Sequence, residues 1–224
     1  MQPEQLRRIA FWSHDLNEKE FEQARRGVVE KDFAKGSYIC HRGDRFDYWT
    51  GVSHGIVRFG TTSQSGKTIT FAGGLRTGSW FGEGTMLKNE PRQYDVIALR
   101  DTRMALMNRS TFLWLFENSV AFNRFLVRQL NERLGQFIAL VEYDRSLDAD
   151  ARVARSIAWL FNPVLYPLEG MNLDISQEEI GLLSGLSRPV TNKSLKTLEA
   201  KGLISVERNG LTVLDLERLR NFGE

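Results

Sequence analysis

Residues 175–213 decide the fold of this chain, and they read ISQEEIGLLSGLSRPVTNKSLKTLEAKGLISVERNGLTV. Ser176 and Glu179 have the spacing of a capping box, which predicts that a helix begins there. Gly185 stands where that helix should end, because glycine adopts the left-handed conformation of a helix end without strain. Pro189 falls in the first turn of a second helix, where its missing N–H costs nothing. The pattern predicts two short helices joined by a tight turn.

Two strand-like segments follow the second helix. They are Leu203–Val206 and Leu211–Leu214, and Asn209-Gly210 between them is a strong hairpin signal. Helix, turn, helix and hairpin in this order indicate a winged helix-turn-helix, whose second helix enters the major groove of DNA. An ordinary helical hairpin with a solvated basic face is the alternative, and the added wing disfavours it.

The second helix is expected to present polar side chains to DNA. Val190, Leu195 and Leu198 are spaced to face the core, and between Arg188 and Lys201 the only acid is Glu199, so positive charge is concentrated locally. The residues expected to contact DNA are Ser187, Arg188, Pro189, Thr191, Asn192, Lys193 and Lys196. Among these, Thr191, Lys196 and Ser187 are expected to bind phosphate, as is Ser194.

Composition sets wider limits. The chain has 224 residues, 42% of them hydrophobic and 26% charged, with a net charge of +2, which is typical of a soluble globular protein of one or two domains. Cys40 is the only cysteine, which excludes an intrachain disulfide, a CxxC zinc site and a multi-cysteine iron–sulfur cluster. Because no stretch is long and apolar enough to cross a membrane, we expect a cytoplasmic protein.

The N-terminal part changes character near residue 33. Residues 1–32 have apolar side chains at helical spacing and are expected to be helical. Short β-prone runs separated by glycines then predict a compact antiparallel roll. These runs are Ser37–Cys40, Tyr48–Val52, Ile56–Phe59, Thr68–Ala72, Tyr94–Leu99 and Arg103–Met107. A short helix at Thr111–Phe116 should return the chain.

A long helix is predicted from Val120 to Ser146, followed by a hinge at residues 146–149 where Asp148 can cap the next helix. Its apolar stripe has coiled-coil-like steps and consists of Phe122, Leu126, Leu130, Leu134, Phe137, Ile138 and Val141. We expect a homodimer along residues 120–146, because helix-turn-helix proteins usually read two half-sites. The alternative is that the helix packs on its own roll.

Taken together, these features resemble the family of the cyclic-AMP receptor protein and FNR, which are bacterial transcription regulators. In the roll the resemblance is carried by Gly36-Ser37-Tyr38-Ile39, Gly43-Asp44, Gly55-Ile56-Val57, Gly66, Gly78-Ser79-Trp80-Phe81-Gly82-Glu83 and Pro91-Arg92. It implies an α+β fold with a cyclic-nucleotide-binding-like β-roll (jelly roll) at residues 1–117. A dimerisation helix at 118–147 and a winged helix-turn-helix domain at 148–224 complete it.

The resemblance also implies an effector site. Gly82, Glu83 and Arg92 match positions that hold the cyclic phosphate and ribose in members that bind cyclic AMP. Gln93 replaces the usual serine, and the adenine-facing positions fall on Phe137 and Ile138, which cannot hydrogen-bond a base. We therefore expect a cyclic nucleotide or other small anion different from cyclic AMP. A cyclic AMP-responsive regulator, and a purely structural Glu83–Arg92 ion pair, are the alternatives.

At the DNA, the resemblance implies that Arg188 reads guanine, whose O6 and N7 match its fork. Pro189 stands where the cyclic-AMP receptor pattern has an acid, so the operator should differ at that base pair. RNA polymerase is a further possible partner. A nucleotide-binding module without DNA output is disfavoured by the intact basic helix. A cupin-type enzyme is disfavoured because His14, His41 and His54 offer no close metal-binding pair, so we expect neither catalysis nor a metal.

Overall fold

The computed structural model describes residues 1–62, 68–167, 170–208 and 210–223, and Gly66 and Asn209 lie outside the described residues. The described residues form two compact units. The first comprises residues 1–132 with the segment 164–167, and the second comprises residues 133–163 with 170–223.

The first unit is built on two four-stranded sheets, ordered β1-β8-β3-β6 and β2-β7-β4-β5, in which the paired strands are antiparallel. The strands are β1 Val28–Phe33, β2 Tyr38–Cys40, β3 Tyr48–His54, β4 Ile56–Thr62, β5 Thr68–Arg76, β6 Trp80–Phe81, β7 Asp95–Ala98 and β8 Thr102–Asn108. The helices are α1 Pro3–Ile9, a 3-10 turn Phe11–Asp15, α2 Glu18–Arg26, α3 Glu83–Lys88 and α4 Arg109–Asn118. The predicted β-roll is therefore present.

One boundary was predicted wrongly. The expectation of helix throughout residues 1–32 fails after Arg26, because β1 pairs along its whole length with β8, from Val28 opposite Met107 to Phe33 opposite Thr102. That pairing joins residues far apart in the chain, so the local pattern gave no sign of it. Two elements of the first unit, β6 and α3, are additional to those predicted from the sequence.

Aromatic rings fill the core between the N-terminal helices and the first sheet. Trp12, Trp49 and Trp80 lie with their ring centroids 4.5–5.3 Å apart, and Phe122 packs edge-on against Trp12 and Trp49. The Trp80 indole donates to the Ile9 carbonyl oxygen at 2.8 Å, which fixes α1 to β6. Tilted and edge-to-face ring pairs of this kind stabilise a core beyond their buried area.

The long helix α5 runs Val120–Ser146, as predicted. Its apolar stripe has two parts. Phe122 and Leu126 are buried in the core of the first unit, whereas Leu134 and Ile138 are 59% and 61% exposed. The first part of the helix therefore packs on its own roll, and the second part leaves an apolar surface open.

The second unit contains α6 Ala149–Trp159, β9 Asn172–Leu173, α7 Gln177–Ser184, α8 Arg188–Ala200, β10 Ile204–Glu207, β11 Gly210–Val213 and α9 Leu216–Arg220. Asp148 caps α6 by accepting from the Ala151 amide at 2.9 Å. The three strands form one antiparallel sheet ordered β10-β11-β9. Ile157 and Leu198 are buried, and α6 packs on α7, α8 and α9. The winged helix-turn-helix is therefore present.

Candidate nucleic-acid interface and effector site

The turn between α7 and α8 is fixed by local chemistry. The Ser176 amide donates to Glu179 Oε2 at 2.7 Å and the Glu179 amide donates to Ser176 Oγ at 3.2 Å, so the capping box forms. Gly185 ends α7 in the left-handed conformation, with φ 66°. A side chain would be strained there, so glycine is needed for the turn that aims α8.

The first turn of α8 stands free at the surface. Ser187 occupies the N-cap position, but its hydroxyl makes no capping hydrogen bond. Arg188 and Pro189 are exposed, as are Lys193 and Lys196 further along the helix. Exposed cations on a helix of this kind provide the charge that DNA phosphates require, and an arginine near its start can reach base edges.

Three side chains of α8 face the opposite way from the prediction. Thr191 is 0% exposed, its Oγ1 donates to the Ser187 carbonyl oxygen at 3.0 Å, and it lies against Gly181 of α7. Ser194 is buried as well, while Val190, expected in the core, is exposed. The burial of Thr191 and Ser194 argues against the expected phosphate contacts of their side chains, since Thr191 packs against Gly181 where α7 and α8 lie close together.

The remaining parts of the interface are Asn192 and the wing. Asn192 is half-buried, and its Oδ1 is buried without a hydrogen-bond partner in the described part of the chain. The wing pairs Ile204 with Val213 and Glu207 with Gly210, with Arg208 exposed at the described edge of the turn. Basic groups are thus present on both α8 and the described part of the wing.

The candidate effector site lies where β6 meets α3. Gly82, with φ 95°, caps α3, and a Cβ on it would overlap the guanidinium of Arg92. Glycine is therefore needed here both for its backbone conformation and for its lack of a side chain. Glu83, the first residue of α3, is buried.

Arg92 is the central cation of this site and is only 1% exposed. Its Nη2 donates to the Tyr48 carbonyl oxygen at 2.8 Å and to Thr50 Oγ1 at 3.1 Å. Its Nε and Nη1 are buried and make no hydrogen bond with any described residue. A buried guanidinium with free donors is costly unless a ligand accepts from them, so the residues present fit an anionic group.

Gln93 is not among the described hydrogen-bond partners of Arg92. Gln93 is exposed and its Nε2 donates to the Pro91 carbonyl oxygen at 3.1 Å. Phe137 and Ile138 are exposed on the second half of α5. The side chain after Gln93, Tyr94, stacks on Phe59 at 4.5 Å between ring centroids. In the described chain, two stacked aromatic rings thus line part of the roll next to Gln93.

Sequence reasoning missed a buried polar row on α5. Gln129, Arg133 and Gln136 are all buried, at spacings of four and three that place them on one helix face. Gln129 Nε2 has no hydrogen-bond partner among the described residues. Their spacing was the available signal, but polar residues on a helix are usually solvated, so the pattern alone does not reveal burial.

Burial also sets the chemistry of Cys40. Desolvation raises the pKa of its thiol to about 11, although the nearby Arg92 charge acts in the opposite direction. The thiol is therefore protonated and unreactive near neutral pH. Within the described residues, no group of three or more histidine, cysteine or acidic side chains could hold a metal ion, and no helix is long and apolar enough to cross a membrane.

Comparison with known families defines the class of protein. Residues 30–119 match the cyclic nucleotide-binding domain, and residues 151–222 match the Crp-like helix-turn-helix domain. A ligand-binding roll joined to a helix-turn-helix is the organisation of an effector-gated DNA-binding regulator. The chain belongs to the Crp/Fnr family of transcription regulators.

One curated relative is similar to the chain in sequence, and two solved structures are similar to it in fold. The chain is 27% identical over 184 residues to the cAMP-activated global transcriptional regulator Vfr of Pseudomonas aeruginosa, covering 79% of this chain and 85% of Vfr. FixK2 of Bradyrhizobium japonicum superposes with a TM-score of 0.69 at 20% identity, over 87% of this chain and 96% of FixK2. The c-di-GMP-responsive regulator CLP of Xanthomonas campestris gives 0.61 at 20% identity, over 88% and 99%.

Proposed function

We propose that this regulator acts as a cytoplasmic homodimer that reads a palindromic operator, with residues 118–147 as the dimerisation element. The exposed apolar side chains along α5 from Val127 onward support the dimer, because a row of this kind is stable in water only when covered. They are Val127, Leu130, Leu134, Phe137, Ile138 and Val141. Two winged helices related by two-fold symmetry would meet half-sites about 34–36 Å apart.

At each half-site, Arg188 reads a guanine, and Asn192 and Lys193 contact bases or phosphates. Lys196 and Ser187 hold the backbone, and Pro189 replaces a polar base contact. The exposure of Arg188 at the first turn of α8 supports this assignment. Recovery of a palindrome from a random DNA library tests it; selected sequences without two-fold symmetry would contradict it. RNA polymerase is the partner through which such a protein would act on transcription.

The effector we propose is an anionic cyclic nucleotide other than cyclic AMP, whose phosphate accepts from Arg92 and lies over Gly82. The observation that carries this proposal is the buried pair of unsatisfied donors, Nε and Nη1, on Arg92. Exclusion of cyclic AMP rests on Phe137 and Ile138, which offer no hydrogen bond to adenine. Vfr is described as cAMP-activated, so a cyclic AMP response remains the alternative to be tested.

A thermal-shift panel on the purified full chain tests the effector. Cyclic mono- and dinucleotides and inorganic phosphate are compared with buffer, for the wild type and for Arg92→Lys. We expect one cyclic nucleotide to raise the melting temperature more than cyclic AMP does, with the shift lost in Arg92→Lys because a lysine lacks the fork. Arg103→Lys, at an exposed ion pair with Asp32, is the matched control.

Two outcomes would overturn this proposal. A larger shift with cyclic AMP than with any other nucleotide would establish the cyclic AMP-responsive alternative. No shift with any anion would assign Arg92 a purely structural role in holding β3 through Tyr48 and Thr50.

A further inference from the structure

The second unit contains a cavity at the junction of α5, α6 and α9. Its volume is about 260 Å³, slightly below the range of about 300–1,000 Å³ for drug-sized ligands and therefore suited to a smaller molecule. It is lined by Tyr143, Arg155, Ala158, Trp159, Asn162, Pro163 and Arg220. These residues belong to one unit, and none of them takes part in the DNA-reading face or in the site around Arg92.

Two aromatic rings form one wall of the cavity. The Trp159 indole Nε1 donates to the Tyr143 hydroxyl at 3.3 Å, which joins the end of α5 to α6 across the hinge at residues 146–149. The guanidinium of Arg155 lies 5.2 Å from the centroid of the Tyr143 ring, and its Nε donates to the Phe222 carbonyl oxygen at 3.1 Å. The rings are thus held in place by contacts that leave a space between the helices.

The charge of the lining has one sign. Arg155 is buried and Arg220 is exposed, while no carboxylate is among the described side chains that line the cavity. Indole and phenol faces favour a planar ligand, and guanidinium groups favour a carboxylate, which they can bind through two parallel hydrogen bonds. Asn162 adds an amide that can donate or accept.

We propose that this cavity binds a small planar aromatic carboxylate, with its ring against Trp159 and Tyr143 and its carboxylate toward Arg220 and Asn162. The site is separate from the effector site around Arg92. Such a ligand would touch the end of α5 and α6 together and so restrain the angle between them. Because α6 packs on α8, occupancy would change the presentation of the DNA-reading helix.

Fluorine NMR on the full chain tests the binding. The protein has five tryptophans, so 5-fluorotryptophan labelling gives five resonances, and Trp159→Phe identifies the resonance of Trp159. The probes are indole-3-carboxylate and its neutral amide. We expect a saturable shift of the Trp159 resonance with the acid and none with the amide, while the resonances of Trp12, Trp49, Trp80 and Trp114 stay in place.

Matched variants on α9 assign the charge recognition. Arg220→Gln should weaken the affinity for indole-3-carboxylate about tenfold, because a charged hydrogen-bond donor is lost. Arg218→Gln, two residues away and outside the cavity, should leave the affinity unchanged. Both side chains are exposed, so both variants should fold, and far-UV circular dichroism together with thermal unfolding of each variant verifies this.

Three results would overturn the proposal: no shift of the Trp159 resonance at millimolar acid, equal binding of acid and amide, or equal affinities in the two arginine variants. The regulatory consequence is measured separately, as operator affinity with and without saturating acid. We expect at least a threefold change in the wild type and a smaller one in Arg220→Gln at the same concentration. An unchanged operator affinity in the wild type would overturn the coupling to α8.

Discussion

Arg92 and Arg188 are the same side chain in opposite settings. Arg92 is buried beneath Gly82 and holds β3 through Tyr48 and Thr50, whereas Arg188 is exposed at the start of α8. A buried guanidinium both stabilises the fold and can bind a ligand. A substitution there therefore changes ligand binding and stability together. An exposed guanidinium contributes little to the stability of the fold, so its replacement should affect DNA recognition alone.

The largest expected effect comes from a substitution at Gly82, which lies against the buried guanidinium of Arg92. Gly82→Ala should destabilise the protein by about 2–5 kcal/mol, because it combines left-handed backbone strain with overlap on the Arg92 guanidinium. Gly36→Ala is the control, since Gly36 has φ +81° and a Cβ added there would meet nothing within 4 Å, so it should cost only about 1–2 kcal/mol. Urea unfolding measures both, and equal losses would show that the overlap with Arg92 does not matter.

Breaking the dimer surface comes next. Ile138→Glu should lower operator affinity by at least about 2 kcal/mol, since a charge in a covered apolar row is costly and each monomer would read a half-site alone. Arg128→Glu, exposed on the opposite face of α5, is the control. Sedimentation velocity and operator titration test this, and a dimer that survives Ile138→Glu would place the interface elsewhere.

At the exposed arginine, Arg188→Ala should weaken operator binding by about 1–3 kcal/mol and relax one base position, with the free energy of unfolding changed by less than about 0.5 kcal/mol. Binding to single-base operator variants, together with urea unfolding, measures the two effects. Arg188→Lys keeps the charge and loses the fork, so it should relax the same base. A loss that is uniform over all sequences would instead assign Arg188 to phosphate.

A smaller effect is expected at Lys196. Lys196→Ala should weaken binding to every sequence alike and reduce the slope of log affinity against log salt by about one. Thr191→Val, at the buried position, should leave that slope unchanged. A reduced slope in Thr191→Val would restore the phosphate contact that its burial argues against.

A last prediction concerns a reaction rate and not stability or DNA affinity, and it follows from the desolvated surroundings of Cys40. Because the Cys40 pKa is raised to about 11 from 9.0, its thiolate at pH 8 is about a hundredfold rarer than in the unfolded chain, and alkylation should be correspondingly slow. The rate should rise with pH up to about 11 as the thiolate forms. Iodoacetamide labelling of native and urea-unfolded protein measures this, and equal rates at pH 8 would show that Cys40 is accessible.

Local chemistry made much of the fold predictable. The capping box at Ser176, the helix-ending Gly185, the cap at Asp148 and the length of α5 all follow from residues within a few positions of one another. Long-range pairing was harder to predict. Strand β1 exists because it pairs with β8, and Thr191 is buried because α7 packs closely on α8, neither of which a local pattern contains.

The effector site and the buried polar row on α5 also differed in how far the sequence predicted them. Gly82 and Arg92 were found because the resemblance supplied their positions, and the structure then showed why glycine is needed over the guanidinium. The buried row of Gln129, Arg133 and Gln136 was missed, because spacing shows that residues share a helix face and does not show what covers that face.

The segment Val164–Pro167 lies in sequence between α6 and β9, yet it belongs to the first compact unit, where Leu165 and Tyr166 are almost fully buried. The order of the chain and the order of the units therefore differ, and no single cut separates one unit from the other. A recombinant fragment starting at residue 148 would expose both apolar side chains to water and invite aggregation. Replacing them with polar residues is the route to a DNA-binding fragment that can be handled alone.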